Sequence, residues 1–390
     1  MTKKEKIPFK DWPTKKKILV ILAMSLAFLL IAVIILVGSY LIYVVTQYYR
    51  IADKQDLTPT ITKGKDSQTK DAKTITSSQE LSIISYNIGF GAYDPDYSFF
   101  MDTGKMKDGR VITGVHSKAV SYTNCLKNTN GALEVVASYD PDFQIIQEVD
   151  TVADRSYHIN QYEAFQKKFP NNDSVFANNF HTALLLYPFN EPIGTTNSGL
   201  ATLSKYSMIS SMRRSYPLSD SFPDKFFDLD RCFSVTRYTL SNNKELIIGN
   251  SHMSAYDKGG VIRKQQLEFL VTFLKEEQDK GNYVIVGGDF NHDIADSVGK
   301  FPSQEERPDW VASFNANELP SGYQIAVDKS YTVATCRAAE MPYKKGENYE
   351  VVIDGFLCSA NVNIKEVKNI DTHYLYSDHN PVLFKFSLAI

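Results

Sequence analysis

Six short segments of this chain carry side chains suited to hydrolysis, and each borders or lies within an apolar run. They are Ser85-Tyr86-Asn87, Gln147-Glu148-Val149-Asp150, Asn250-Ser251-His252, Asp289-Phe290-Asn291, Val352-Ile353-Asp354-Gly355 and Ser377-Asp378-His379-Asn380-Pro381. Glu148, Asp289, Asp354 and Asp378 offer carboxylates, as bases or as oxygen ligands for a hard cation such as Mg²⁺ or Mn²⁺. Asn87 and Asn291 can orient a water or coordinate a metal while remaining neutral. His252 and His379 can donate hydrogen bonds to an anionic phosphoryl group, or protonate a leaving oxygen. Together these are the parts for metal-assisted attack of water on phosphorus. Arg231 is a candidate contact for a substrate phosphate, with an ordinary ion pair as its competing role.

Each of these residues also has a plainer use. Asn87 can cap the turn after its strand, and Asp289 with Asn291 can make an Asx-turn, because Gly-Asp-Phe-Asn is good turn chemistry. Glu148 and Asp354 can be isolated carboxylates at strand ends, His252 a packed ring, and Asp378 with His379 a cap on the last strand. One such residue would mean little, but six segments in one region are harder to dismiss. Side chains from distant sequence converge where strands end along one edge of a sheet. His181, His292 and His373 fall outside these segments and read as packing or surface residues.

The elements that must position the six segments are legible as short apolar runs. Leu81–Tyr86, Phe143–Gln147, Glu245–Gly249, Tyr283–Gly287, Glu350–Cys358 and Val382–Leu388 read as strands. Gly131–Ser138 and Val261–Glu277 read as helices, the latter with Ile262, Leu267, Leu270, Val271 and Leu274 on roughly one face. Strands and helices mixed with long loops predict a layered α/β domain.

The remaining sequence sets the context. The chain has 390 residues, 22% of them charged and 12% aromatic, which excludes wholesale disorder. Its four Cys, at 125, 232, 336 and 358, form no CxxC pair, which argues against a cysteine zinc site and a disulfide-stapled scaffold. No cysteine is expected to be needed for catalysis. Residues 1–80 hold 13 Lys and Arg against 7 Asp and Glu, a net of +6, and the rest carry a net of −9. So acidic a body is a poor generic sponge for nucleic acid, although a local basic groove remains compatible with it.

Residues Ile18–Tyr49 contain no charged side chain. The stretch is too long for a signal-peptide core of roughly 7–15 residues, so it reads as a retained transmembrane anchor. Seven lysines precede it, which predicts a cytoplasmic basic tail over 1–17 and an exported body, giving a single-pass protein with an extracellular domain. Residues 50–80 read as a flexible linker and 81–390 as the catalytic domain.

The order SYN, QEVD, NSH, GGDFN, IDG, SDHNPV resembles the endonuclease/exonuclease/phosphatase superfamily, which includes pancreatic-type deoxyribonucleases and neutral sphingomyelinases. The resemblance spans about Leu81 to Leu388 and implies a four-layer α/β/β/α sandwich. It further implies that Glu148 holds a divalent metal, Mg²⁺ or Mn²⁺, with Asn87 and Asp378 close to it. Asp289, helped by Asn291, would activate water, while His252 and His379 would contact the phosphoryl oxygens and Asp354 would fix the His379 tautomer. Asn87 and Glu148 stand farther apart here than the shorter spacings of the family. The extra segment, about Phe90–Lys127, reads as a substrate-selecting lid or a disordered insertion, and its aromatics favour the lid. The expected activity is a membrane-anchored, metal-dependent phosphoesterase, acting on a phospholipid head group or a small phosphorylated molecule, with no protein partner implied. The alternatives are an extracellular nuclease acting on DNA or RNA and an inactive phospho-ligand-binding scaffold.

Overall fold

The computed structural model describes residues 8–61, 75–77, 79–219, 221–222, 224–226, 228–255 and 260–390. The chain divides into two units, Met1–Tyr49 and Arg50–Ile390. Among the described residues the first holds a short 3-10 turn, Phe9–Asp11, and one α-helix, α1 (Thr14–Gln47), entered through Pro13. Its most apolar window has a mean hydropathy of 3.3, so the helix is long and apolar enough to cross a membrane. Residues 1–7 of the expected basic tail lie outside the described residues.

The second unit is built on two large sheets. In chain order the strands are β1 (Gln55–Leu57), β2 (Leu81–Asn87), β3 (Phe143–Asp150), β4 (Asp173–Leu185), β5 (Gly194–Ser204) and β6 (Ser210–Ser215). They continue with β7 (Cys232–Thr239), β8 (Glu245–His252), β9 (Tyr283–Asp289), β10 (Gln324–Ala326), β11 (Asp354–Cys358), β12 (Val362–Asn369) and β13 (Val382–Leu388). One sheet runs β12-β13-β2-β3-β5-β4 and the other β1-β6-β7-β8-β9-β11-β10.

Side-chain alternation along the strands builds the layers. In β8, Leu246 and Ile248 face the core between the sheets, where they join Ile83, Phe143, Ile285 and Phe356. Ile247, between them, faces the other way, onto Leu267, Leu270 and Leu274 of α4 (Val261–Asp279). On the far side, Ala132, Leu133 and Val136 of α2 (Tyr122–Tyr139) and Phe165 of α3 (Gln161–Lys168) cover Ile84, Tyr86 and Ile146. The fold is therefore a four-layer sandwich, as expected. At about 1.5–3 kcal/mol for each large apolar side chain buried, these three interfaces dominate its stability.

Several boundaries differ from expectation. The run Glu350–Cys358 divides: Glu350–Val351 pairs with Cys336–Arg337, and only Asp354–Cys358 enters the large sheet. The helix expected at Gly131 begins at Tyr122, because Ser121 accepts a hydrogen bond from the Asn124 N–H and caps polar first turns that carry no apolar period. The linker expected over 50–80 does not begin at residue 50. Arg50 ion-pairs with Asp230, and β1 pairs with β6 from Gln55↔Arg213 to Leu57↔Ser211. Three residues with one apolar side chain give no strand signal of their own, so the partner strand decides. Residues 62–74 of that linker lie outside the described residues.

The aromatic insertion is packed into the fold and not disordered over its aromatic part. Phe90, Tyr93 and Tyr97 are buried in a cluster with Ala119 and Cys125, and Arg155 stacks 3.9 Å over the Phe90 ring. A short hairpin, Thr103–Lys105 with Val111–Thr113, follows. It passes over a carboxyl pair absent from the sequence expectations: Glu305 and Glu340 are 1% and 3% exposed. Glu305 Oε2 accepts from the Tyr349 N–H at 2.9 Å. Burial, reinforced by Glu340, pushes the Glu305 carboxyl up to about 9, so at neutral pH the pair shares a proton.

Candidate active site

Register brings the expected residues together. β8 and β9 run parallel with His252 opposite Asp289, and β9 and β11 run antiparallel with Asp289 opposite Asp354. Gly288 makes the first pairing possible: a Cβ there would lie 2.0 Å from the Ser251 carbonyl oxygen, and its φ of +137° suits glycine. In the other sheet β2 and β3 run parallel with Asn87 opposite Gln147. Gln147 Nε2 then donates to Asn250 Oδ1 at 2.8 Å, and Asn250 Nδ2 donates to the Ala201 carbonyl at 3.0 Å. These buried amides tie the two sheets together beside the site.

The centre of the site is Asp289, 2% exposed. Its Oδ1 accepts from the Asn291 N–H at 2.8 Å, so the Asx-turn expected as a plain alternative is present. Its Oδ2 faces a cluster: Asn87 Nδ2 at 3.1 Å, His252 Nε2 at 3.4 Å and His379 Nε2 at 3.7 Å. Turn and cluster use different oxygens of one carboxylate. Burial, reinforced by Asp354 and Glu148 and opposed by His379, raises the Asp289 carboxyl to about 7.

Glu148 sits at a β-bulge of β3 with φ +52°, a left-handed conformation uncommon for Glu, which turns its side chain away from the regular alternation. Its Oε1 lies 3.1 Å from Asn87 Nδ2 and 3.8 Å from His252 Nε2. Asn87 therefore bridges two carboxylates through its amide nitrogen, while its Oδ1 accepts from the Gly89 N–H at 3.0 Å. In this arrangement Asn87 positions the carboxylates and is not turned to ligate a cation. Asp378 follows Ser377, whose hydroxyl donates to the Asn87 carbonyl at 2.7 Å. Burial, with Glu148 adding to it, raises the Asp378 carboxyl to about 6.

The two histidines are held differently. His379 Nδ1 lies 2.9 Å from Asp354 Oδ2, which directs Nε2 toward Asp289. Burial alone would lower its pKa. Cys336, Asp354 and Asp289 outweigh that, and the ring stays charged well above its ordinary range. The Cys336 thiol is itself raised to about 12 by burial, so at neutral pH the two carboxylates supply the effect. His252 is neutral: burial, Arg231 and His379 all push its pKa well down. Arg231, 4% exposed, places Nη1 against His252 Nε2. A guanidinium N–H donates only to an unprotonated nitrogen, so the proton of the neutral ring sits on Nδ1.

All nine expected site residues thus gather in one cluster, with Arg231 making both the ion pair expected as its plainer role, to Asp228 Oδ1 at 4.0 Å, and the contact with His252. Asn291 donates through Nδ2 to the Met253 carbonyl at 2.8 Å, which leaves its role as a brace on the Asp289 loop. The structure adds Tyr93: its ring and Asp378 Oδ1 lie 2.7 and 3.2 Å from the position a Gly89 Cβ would take, so both border the same glycine. The four cysteines are buried and free, and Cys336 lies against His379. His292 Nδ1 lies 2.6 Å from the Phe290 carbonyl and His373 Nδ1 3.2 Å from Asp371, whereas His181 lies 3.4 Å from Asp230, beside Arg231.

Ligand atoms of Asp289, Asp354 and His379 come within 4.8 Å of one another, a spacing compatible with a metal ion. With Nδ1 of His379 held by Asp354 and Nε2 facing Asp289, the trio is also arranged as a hydrogen-bonded acid–base group. A second set of carboxylates also suits a hard cation. Glu148, with a 23% exposed side chain, and the raised carboxyl of Asp378 crowd like charges beside Asp289, and a divalent ion would relieve them.

The family model for the endonuclease/exonuclease/phosphatase family matches residues 84–379. No curated protein sequence matches the chain. Among solved structures, an endonuclease/exonuclease/phosphatase from Beutenbergia cavernae aligns at a TM-score of 0.54 and 14% identity, covering 80% of this chain and 72% of that one. ANGEL2, a 2',3'-cyclic phosphatase solved with adenosine-2',3'-vanadate, aligns at 0.50 and 14%, covering 80% and 96%. At such identities the likeness concerns the fold.

Proposed function

The chain belongs to the endonuclease/exonuclease/phosphatase family, and from that premise we propose that it hydrolyses a phosphoester by attack of water activated at Asp289. The observation that carries this reading is the gathering of Asn87, His252 and His379 around one oxygen of a buried carboxylate whose pKa is lifted to about 7. A base poised near the working pH combines availability with driving force.

In this mechanism Asp289 Oδ2 takes a proton from water as the water oxygen bonds to phosphorus. Asn291 holds Asp289 through its other oxygen. Charged His379 donates from Nε2 toward the phosphoryl group and gives its proton to the leaving oxygen as the old P–O bond breaks, with Asp354 holding Nδ1. Arg231, paired with neutral His252, puts a fixed positive charge where negative charge grows. Mg²⁺ or Mn²⁺, which Glu148 and Asp378 would hold with Asn87 positioning the Glu148 carboxylate, would balance charge on the phosphoryl oxygens.

We further propose that α1 spans a membrane and holds the catalytic unit on the outer face, where a phospholipid head group or small phosphoester is the substrate class. The uncharged stretch Ile18–Tyr49, the lysines before it and the acidic body support this. The test is release of phosphate or head group from a phosphoester panel by the full chain with added Mg²⁺. Hydrolysis that a chelator abolishes and Mg²⁺ restores is expected, and full activity in excess chelator contradicts the reading.

A further inference from the structure

Between the uncharged stretch ending at Tyr49 and the first core strand at Leu81, nothing in the sequence marks a functional residue. The structure gives part of this segment a place in the second unit. Arg50 Nη1 lies 2.7 Å from Asp230 Oδ1, and its Nη2 donates to the Ser219 carbonyl at 2.7 Å. The Asp230 main chain is held from the other side: Arg213 Nη2 donates to its carbonyl at 2.8 Å. Arg213 is fully buried and also donates to the carbonyls of Ala52 at 3.2 Å and Asn178 at 2.7 Å. Asp53 Oδ1 accepts from the Ser215 N–H at 2.8 Å and from Arg214 Nε at 3.1 Å. The segment from Arg50 to Leu57 is thus bonded to the β6–β7 end of the sheet.

Asp230 directly precedes Arg231, whose guanidinium meets His252. The Tyr216 N–H bonds the Arg231 carbonyl at 2.9 Å, so the backbone at 230–231 is fixed on one edge by β6 and through Asp230 by Arg50. A guanidinium N–H reaching an unprotonated imidazole nitrogen needs close alignment, and small shifts at its base move its tip.

We propose that Arg50 is a positioning residue of the active site: by pinning Asp230 it sets the backbone from which Arg231 holds His252. It follows that the working catalytic unit begins at Arg50, and that the segment after the uncharged stretch is part of the active-site support. Asp230 is 6% exposed and also faces His181 Nε2 at 3.4 Å, so losing Arg50 strips a buried carboxylate of its strongest donor.

The test uses the full chain in detergent micelles with bis(4-nitrophenyl) phosphate and Mg²⁺, the probe for the hydrolase reading on which this proposal rests. Arg50→Gln is expected to lower kcat about tenfold with KM nearly unchanged, and Arg50→Lys to restore part of the loss. In an Arg231→Gln background, Arg50→Gln should add less than about a twofold effect, because the path is already cut. Asp230→Asn, of the same shape, serves as a second variant if Arg50→Gln fails to fold. A readout independent of turnover is the ¹⁵N signal of His252 in histidine-labelled full chain. The unsubstituted protein should show a neutral ring protonated on Nδ1, and Arg50→Gln should move it toward the Nε2-protonated form. If the unsubstituted chain hydrolyses nothing, the hydrolase reading falls and the His252 signal still decides this proposal. The proposal is overturned if folded Arg50→Gln keeps its kcat and its His252 signal, or if its rate loss is equal with and without Arg231.

Discussion

Replacing Glu305 by Gln should stabilise the protein, and by more as pH rises. Glu305 is 1% exposed and faces the carboxyl of Glu340. Its carboxyl stands near 9 in the folded state against an ordinary value of 4.5. The sign follows from linkage: a raised folded pKa gives stability that is complete below about 4.5 and drains away as pH rises toward about 9. At pH 7 the folded chain must hold a proton that the unfolded chain has released, which costs about 3 kcal/mol as an upper figure. Gln is neutral in both states, its carbonyl can keep the 2.9 Å bond from the Tyr349 N–H, and its amide can donate to Glu340. For a unit of this size about 3 kcal/mol corresponds to about 4 °C in Tm. The assay is thermal unfolding of the full chain and of Glu305→Gln in micelles at about pH 5, 7 and 8.5. A Tm gain that grows with pH is expected. A gain independent of pH, or a loss at every pH, refutes the shared-proton account.

Two further outcomes follow from the site and from α1. His252→Ala should lower kcat by about 10²–10³-fold, measured with bis(4-nitrophenyl) phosphate, because it removes the ring that fixes the Arg231 charge in the site, and it should lower Tm as well because the buried guanidinium loses its imidazole partner. Protease added to intact cells should remove the chain beyond about residue 50, and protection of the catalytic unit while a known external protein is cut would reverse the assigned orientation.

The chemistry of this protein was more legible in its sequence than its architecture. The runs ending at Asn87, His252 and Asp289 are continuous and apolar because their strands are buried on both faces, and that pattern survives without any knowledge of neighbours. β4 and β12 carry Asn, Lys and Glu among their apolar residues because they are the two edge strands of their sheet, each paired there with a single neighbour, β5 and β13. The same holds for β1, whose three residues become a strand only because β6 offers an open edge. Turn chemistry and catalytic chemistry looked like rivals at Asp289, yet the carboxylate serves both, one oxygen each. Aromatics at 90–97 suggested a lid from composition, but burial depends on α2 folding back against them, which composition does not encode. Arg50 and the Glu305–Glu340 pair had no signal at all, since their meaning lies in partners 180 and 35 residues away.

The central claim is that Asp289 activates water for phosphoester hydrolysis, and one comparison tests it most directly. Full-length protein and Asp289→Asn are assayed side by side for turnover of bis(4-nitrophenyl) phosphate and of phospholipid head groups with added Mg²⁺. The Asn side chain keeps the shape and the bond from the Asn291 N–H but cannot accept the proton. The account predicts a fall in kcat of about 10²–10⁴-fold with an unchanged fold by circular dichroism. Near-normal turnover by Asp289→Asn on every phosphoester that the unsubstituted chain cleaves would contradict it.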